Sequence, residues 1–389
     1  MRILFITSRN VYGTSGELRL IKNRTETLLN CYDTKTDFLL FKHEKVLTTK
    51  RELFNSSSFD GYYYNWYNHY FKYKAFLRQI SNKLSENQYE AVVLSGGFLF
   101  TDLIKYVRKK SSKQTKIIID IHGAIDELIE FPGRTIYHKI VRWLYYQVCK
   151  YAEKKAFAKA DGFFVVSNSL KTYVLNRSKD VKDKEFFVVP CGLKNTFINS
   201  DESQKDRKKY RAKYGISEDE LLFIYSGGVS PWQCIDESIS LFEEFRKKSS
   251  KKCTLLILSG NIKCIEKYRS DCTIVDSYSA DEVKRVLCAG DFAFLLRGDY
   301  VTNHVAYPNK FLEYVSSGMK IIATENVDDV AKQVRDYSVG IIIKDDSLID
   351  IIDDSVSLNY LSDIKERNAL LLATSFETTL KPFISYLKS

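Results

Sequence analysis

Two successive series of short, almost wholly apolar stretches, each followed by a helix-length segment, limit what this chain can fold into. In the first series the apolar stretches fall at 2–7, 37–41, 91–95, 116–121, 162–167 and 185–189. Helical segments fill the gaps at 17–30, 66–85, 101–109, 137–159 and 169–176. Runs of Ile, Val, Leu and Phe without polar alternation are buried on both faces, which predicts a parallel sheet covered by helices. A second series follows, with strands at 221–226, 254–259, 273–276, 292–296, 320–324 and 340–343. Between the two, residues 191–215 turn polar, and DESQKDRKKYRAKYG shows no apolar period, so the segment reads as a linker. The expectation is an α/β fold of two Rossmann-like, doubly wound domains facing a cleft, with boundaries at 1–195 and 205–374. Residues 375–387 read as an amphipathic helix, with Phe376, Leu380, Phe383, Ile384 and Leu387 on one face and Pro382 placed to kink it.

The 389 residues give room for two such domains, and a formal charge of +10 favours partners that carry phosphate or present an anionic surface. Eight scattered cysteines, with no Cys-x-x-Cys pair, match neither a zinc site nor a disulfide framework, so reduced thiols in the cytoplasm are expected. MRILFITS reads as a first strand and not as a leader, and no run approaches the roughly 18 apolar residues of a membrane-spanning helix. Any membrane contact is therefore expected to be peripheral, at the inner face of the cell membrane. Segments 62–77 and 137–159 interleave aromatic with basic residues. That pattern suits an anionic bilayer, and it equally suits a solvated helix with a buried aromatic face. No nucleic-acid module is present, so no nucleic-acid partner is expected.

Ligands in doubly wound sheets bind beyond the carboxyl ends of the strands, so the loops there are the places to look for chemistry. The first, RNVYGTSGELR at 9–19, has Gly13 and Gly16 for close backbone approach, but neither a G-x-G-x-x-G pattern nor a Walker lysine. IIIDIHGAIDE places Asp120 and His122 at a strand end, with Glu127 close behind. A histidine there can donate to a sugar hydroxyl or put charge near a reacting carbon. YSGGVSPWQCID at 225–236 offers Gly227 and Gly228 before a helix, with Trp232 either stacking on a base or packing inside. The richest stretch is 295–318, in which Arg297 ends a strand and Asn309, Lys310 and Glu313 follow Pro308. Lys310 and Glu313 lie three apart and share a helical face, serving either a diphosphate and a ribose or a surface ion pair.

The order of these pieces resembles the GT-B fold of retaining glycosyltransferases, in particular the family-four group acting on polysaccharide and lipid-linked acceptors. The resemblance covers nearly the whole chain. It is carried by MRILFITS with the Gly13/Gly16 loop, by DIHG at 120–123, and by ADGFFVVSNSLKTYV at 160–174. VVPCGL at 188–193 and PNKFLEYVSSG at 308–318 complete it. It implies a nucleoside-diphosphate sugar donor, a glycan or lipid-linked glycan acceptor, and a role in cell-surface polysaccharide synthesis. The Gly13–Gly16 loop would border the phosphates, His122 would touch the donor sugar, Lys310 the diphosphate, and Glu313 the ribose. Asp120 and Glu127 would lie on the acceptor side, and a crossover helix at 375–389, with Ser375 and Phe376, would return to the first domain.

Three positions depart from that pattern. Gly228 and Gln233 stand where the group places an Arg and a Lys, and Val305 stands where it often has a glutamate. Arg297 is then the cation expected to join Lys310 at the diphosphate. No cofactor or metal is expected, because no Asp-x-Asp closes a strand and Asp353–Asp354 fall in a polar segment. The alternative is a catalytically degenerate scaffolding subunit of a glycosyltransferase complex. A sugar-nucleotide epimerase on the same fold is a further alternative, and would need more acid and base groups at the sugar.

Overall fold

The computed structural model describes residues 1–8, 16–43, 58–64, 67–96, 101–193, 198, 200–343 and 363–389. The chain divides into two units, Met1–Gly192 with Phe376–Ser389, and Leu193–Ser375.

The first unit is built on β1 (Arg2–Thr7), β2 (Lys35–His43), β3 (Ser58–Tyr64), β4 (Ala91–Ser95), β5 (Lys116–Ile121), β6 (Gly162–Val165) and β7 (Glu185–Val188). They form a parallel sheet in the order β3-β2-β1-β4-β5-β6-β7. Its helices are α1 (Gly16–Tyr32), α2 (His69–Glu86), α3 (Thr101–Lys110), α4 (Glu127–Glu130), α5 (Ile136–Phe157) and α6 (Asn168–Arg177). The strand order reverses between β1 and β4. Right-handed crossovers then place α2, α3, α5 and α6 on one face and α1 on the other. In keeping with this, α3 packs between α2 and α5.

The second unit repeats the plan with β8 (Leu221–Ser226), β9 (Cys253–Leu258), β10 (Thr273–Asp276), β11 (Phe292–Leu295), β12 (Lys320–Thr324) and β13 (Gly340–Ile343). Their order is β10-β9-β8-β11-β12-β13, again all parallel, with the reversal between β8 and β11. The first helices here are α7 (Ser200–Tyr214), α8 (Ile235–Lys248), α9 (Ile262–Ile265) and α10 (Ala280–Leu287). They are followed by α11 (Val301–His304), α12 (Asn309–Ser316), α13 (Asp328–Asp336) and α14 (Ile364–Ala373). Phe223 stacks on Phe292 and Phe294 at 5.0 and 5.7 Å, so the centre of this sheet is an aromatic core. No described helix is long and apolar enough to cross a membrane.

Three expectations change. The polar stretch read as a linker contains α7, whose inward positions are Asp206, Arg207, Tyr210 and Arg211. Arg207 and Arg211 bind the two oxygens of buried Asp291 at 2.6 and 3.2 Å, and both donate to the carbonyl of Ala289. Charge pairing holds this helix, so it leaves no apolar period to read. Strand β3 also escaped the apolar pattern, since SFDGYYY contains no aliphatic run. Finally, the terminal helix is two short ones, α15 (Phe376–Thr379) and α16 (Lys381–Lys388), parted at Leu380. Pro382 sits in the first turn of α16, where its missing N–H costs nothing, and Phe383 lies 4.6 Å from Phe164 and 5.2 Å from Phe187. Both contacts tie the chain's end to the first sheet.

Candidate functional site

Polar groups gather where the second sheet reverses order, at the loops leaving β8 and β11. Past Ser226, the Gly228 amide donates to Gln233 Oε1 at 3.0 Å, and Tyr225 OH donates to the Gly228 carbonyl at 2.7 Å. The Lys310 ammonium donates to the same Gln233 oxygen at 2.9 Å and lies 5.7 Å from the Tyr225 ring. Gly227 lets the Lys310 ammonium and Gln233 Oε1 close over the loop: a Cβ there would displace both side-chain ends. Gly228 has more room, with the nearest atom, Gln233 Nε2, at 3.4 Å. Cys234 follows at φ +50°, a left-handed conformation that costs a non-glycine residue energy and starts α8 abruptly. Trp232 is half-buried in the single turn Pro231–Gln233.

Arg297 enters from the end of β11. Its backbone is clamped, the amide donating to Thr324 Oγ1 at 3.0 Å and the carbonyl accepting from Thr324 Oγ1 and Asn326 Nδ2. The residue is only 8% exposed, and its guanidinium donates to the carbonyls of Leu296 at 2.7 Å and Gln233 at 3.4 Å. No carboxylate among the described residues pairs with it. Burial pushes its pKa down, with partial compensation from Tyr225, Tyr314 and Cys234. An arginine does not shed its proton in proteins, so this is a buried cation held by neutral dipoles.

Helix α12 brings the remaining groups. The Tyr314 hydroxyl accepts from the Ser226 amide at 3.0 Å and donates back to its carbonyl, tying α12 to the end of β8. At the other end, buried Arg367 of α14 donates to the carbonyls of Val315 and Met319. Helix α12 starts with Asn309 and Lys310, both half-buried, while Glu313 is 5% exposed. Val305 is buried, an apolar residue where a glutamate was the pattern. The structure thus groups Gly227, Gly228, Gln233, Arg297 and Lys310, with Glu313 one turn along the same helix as Lys310.

The first unit has its own buried constellation. Asp120, at the end of β5, accepts from Arg24 Nη1 at 2.9 Å and pairs through its other oxygen with His122 Nε2 at 2.8 Å. Burial alone would raise its pKa, but the Arg24 charge and His122 outweigh that and hold the carboxyl well below the usual range. Arg24 is fully buried, with its guanidinium 4.7 Å over the Phe164 ring. His122 Nδ1 is buried and has no hydrogen-bond partner among the described residues. With Nε2–H given to Asp120, a neutral His122 offers Nδ1 as an acceptor. In that tautomer the ring can accept from a ligand hydroxyl, whereas donation was expected from the sequence.

Asp120 is 3% exposed with both oxygens occupied, so it cannot reach an acceptor and instead orients His122. Glu127 stands exposed at the start of α4, outside this network. Its neighbour Asp126 is the engaged acid, accepting hydrogen bonds from the hydroxyls of Tyr146 at 3.3 Å and of Tyr173, with Arg177 at 3.6 Å. Gly16 opens α1, while Gly13 lies outside the described residues, as do Asp353 and Asp354. Sequence reasoning missed Arg24, although it occupies the buried stripe between Leu20 and Leu28. A cation in the middle of an apolar stripe was the available signal.

Residues 44–195 match the family model described as Glycosyltransferase Family 4. No curated protein matches the chain. Among solved structures, sucrose-phosphate synthase from Thermosynechococcus elongatus is 14% identical, covering 100% of this chain and 98% of that one with a TM-score of 0.68. A structure from E. coli named "Trehalose-6-phosphate … bound with UDP-2-fluoro glucose" is 11% identical, with 100% and 99% coverage and a TM-score of 0.64. The lipopolysaccharide outer core galactosyltransferase WaaB is 14% identical, with 100% of both chains covered and a TM-score of 0.63. What these comparisons establish is the fold, that of the GT-B type, together with a likeness of residues 44–195 to the Glycosyltransferase Family 4 model. That likeness falls almost wholly within the first unit.

Proposed function

We propose that the chain moves a sugar from a nucleoside diphosphate to a hydroxyl of a glycan or lipid-linked glycan, with retention, in cell-surface polysaccharide synthesis at the inner face of a membrane. The observation that carries the donor half is Arg297, a buried cation with no carboxylate among the described residues, a few side chains from Lys310. A diphosphate supplies the missing negative charge, and the two cations stabilise it as it departs. In this reading they do so without a metal ion, with backbone amides of the Gly227–Gly228 loop assisting. Glu313 takes the ribose hydroxyls and His122 Nδ1 accepts from a hydroxyl of the sugar. The bond from the anomeric carbon to the diphosphate oxygen breaks with its electron pair leaving on that oxygen, a bond to the acceptor oxygen forms on the same face, and the departing diphosphate takes the acceptor's proton. Two structural neighbours support the reading, one named with UDP-2-fluoro glucose and one named as acting on lipopolysaccharide outer core.

Calorimetry of the full chain against nucleoside diphosphates tests it. Binding is expected, and Glu313→Ala should weaken it by about 1–3 kcal/mol, the scale for losing a charge-assisted hydrogen bond. A folded protein with no affinity for any nucleoside diphosphate overturns the donor assignment.

A further inference from the structure

The aromatic and aliphatic residues of α5 face solvent. From Ile136 to Val148 no residue is buried, and the inward face begins only at Cys149, continuing through Ala152, Ala156 and Phe157. The first turns, about 20 Å of helix, pack on the unit beside α4, where Tyr146 meets Asp126, and leave the rest of their surface in solvent. Along them Ile136, Ile140, Leu144, Val148 and Tyr151 recur at intervals of three and four, so they form one stripe, with Trp143 at its edge. Ile136 is 77% exposed, Trp143 53% and Tyr151 62%. Helix α2 adds to the same side. It begins, like α5, beyond the carboxyl edge of the sheet on the same face, and there Tyr70 and Phe71 are exposed, with Tyr67 just before them. Isolated exposed apolar residues need no explanation, but a continuous stripe of this size marks a docking surface.

Charge selects the occupant. Lys139, Lys150 and Lys154 border the stripe, and Lys155 lies 4.2 Å over the Tyr151 ring. The helix has one acid, Glu153, which is largely buried and bound to Arg177 at 3.2 Å. Lys72 and Lys74 stand beside the exposed aromatics of α2. Nearby acids are few: Asp102 of α3 is exposed near Lys105 at 3.7 Å, and Glu127 is exposed on α4. Two copies meeting through this face would bring like charges together with almost no acid to offset them, whereas anionic lipid headgroups complement the border and acyl chains accept the stripe.

We infer that the exposed first half of α5, with the aromatic start of α2, docks this chain on an anionic bilayer and inserts its apolar stripe at the headgroup–acyl boundary. The inference deepens the acceptor half of the function proposed above. The docking elements begin at the edge of the sheet where His122 also sits, so docking turns that edge toward the membrane. The acceptor it predicts is a glycan on a lipid that stays in the bilayer.

The test is flotation of the full chain with phosphatidylcholine vesicles, with and without phosphatidylglycerol, together with Trp143 fluorescence and Trp143→Phe as the blank. Binding is expected only with phosphatidylglycerol, with Trp143 emission shifted to the blue and quenched by brominated acyl chains. Combined Ile140→Ser, Leu144→Ser and Val148→Ser should cut vesicle affinity by roughly tenfold or more, since the apolar contribution is lost. These residues are exposed, and an unchanged melting temperature checks that the variant folds. Combined Lys139→Gln, Lys150→Gln and Lys154→Gln should remove the preference for phosphatidylglycerol. Wild-type protein that stays in the aqueous phase overturns the inference, as does flotation unchanged by the serine variant. A dimer that the serine variant makes monomeric overturns it in favour of a second copy. Nucleoside diphosphate calorimetry without vesicles reads the donor half separately, so failure of one is not failure of the other.

Discussion

Arg24 on α1 and Asp120 at the end of β5 form an ion pair of 2.9 Å with both side chains almost wholly buried, 96 residues apart in sequence. The free oxygen of Asp120 then fixes His122 through Nε2. The pair sets the orientation of the imidazole, since Asp120 stays ionised and draws the ring proton to Nε2, leaving Nδ1 for a ligand.

Breaking that pair leaves a buried charge uncompensated. Arg24→Met should cost about 3–5 kcal/mol of stability, whereas the double variant Arg24→Met, Asp120→Asn should recover most of it because both charges are gone. Chemical denaturation of the four proteins of the cycle measures this. Additive losses would mean that the two side chains are not coupled. In the proposed reaction His122→Ala should abolish most transfer and leave nucleoside diphosphate affinity nearly intact. Equal loss of nucleotide binding would contradict a role at the sugar.

A second buried acid predicts a pH dependence. Burial pushes the Glu153 carboxyl up to about 7, and Arg177, which binds it at 3.2 Å, only partly offsets this while Asp126 adds to it. The folded state therefore binds a proton more tightly than the unfolded chain, whose carboxyl titrates near 4.5. As pH rises through the window from about 4.5 to 7 the unfolded state is the first to lose its proton, so stability falls across that window. A displacement of that size corresponds to about 3 kcal/mol, present at acid pH and gone above neutrality. Glu153→Gln keeps an acceptor for Arg177 and removes the charge. Its stability should decline less than that of the wild type between pH 5 and 8, with the larger advantage at pH 8. Parallel curves for the two proteins would show that Glu153 ionises normally.

The sheet was legible wherever burial alone decides it. Strands β1, β4, β5, β8 and β12 have the bounds expected from their apolar runs, because a strand buried on both faces has little choice of residue type, and the half-buried edge strands β10 and β13 keep apolar runs of their own. What sequence could not show is held by polarity. Helix α7 is fixed by Arg207 and Arg211 on Asp291, so its inward face is indistinguishable from a solvated one. The stripe on α5 posed the opposite difficulty. Aromatics at helical spacing read as a buried face as easily as an exposed one, and only the fold shows which side the sheet takes. For the site, the loops were predictable from strand ends, and Arg297 and Lys310 were found there. Gln233 was read only as the loss of a cation. Its carboxamide in fact gathers the Gly228 amide and the Lys310 ammonium. Residues 24 and 120 could not be paired, because nothing local relates them.

Arg297 offers the sharpest separation of stability from function. Its guanidinium is buried against the carbonyls of Leu296 and Gln233 with no carboxylate partner among the described residues, so in the free protein it contributes little or is a net cost. Arg297→Met preserves much of its volume and removes the buried charge, as replacement of buried ions by apolar groups is often neutral or stabilising. The variant should therefore melt at or above the wild-type temperature. Nucleoside diphosphate affinity should fall by about 1.5–3 kcal/mol, the scale of hydrogen bonds to a charged group, while binding of the uncharged nucleoside changes little. Lys310→Ala should show the same selectivity. The two effects should be less than additive, because both cations would address the same phosphates around Gln233. Calorimetry with diphosphate and nucleoside, alongside thermal melts, decides it. A strongly destabilised Arg297→Met protein would make Arg297 a structural residue, and unchanged diphosphate affinity in both variants would remove the pair from the donor site.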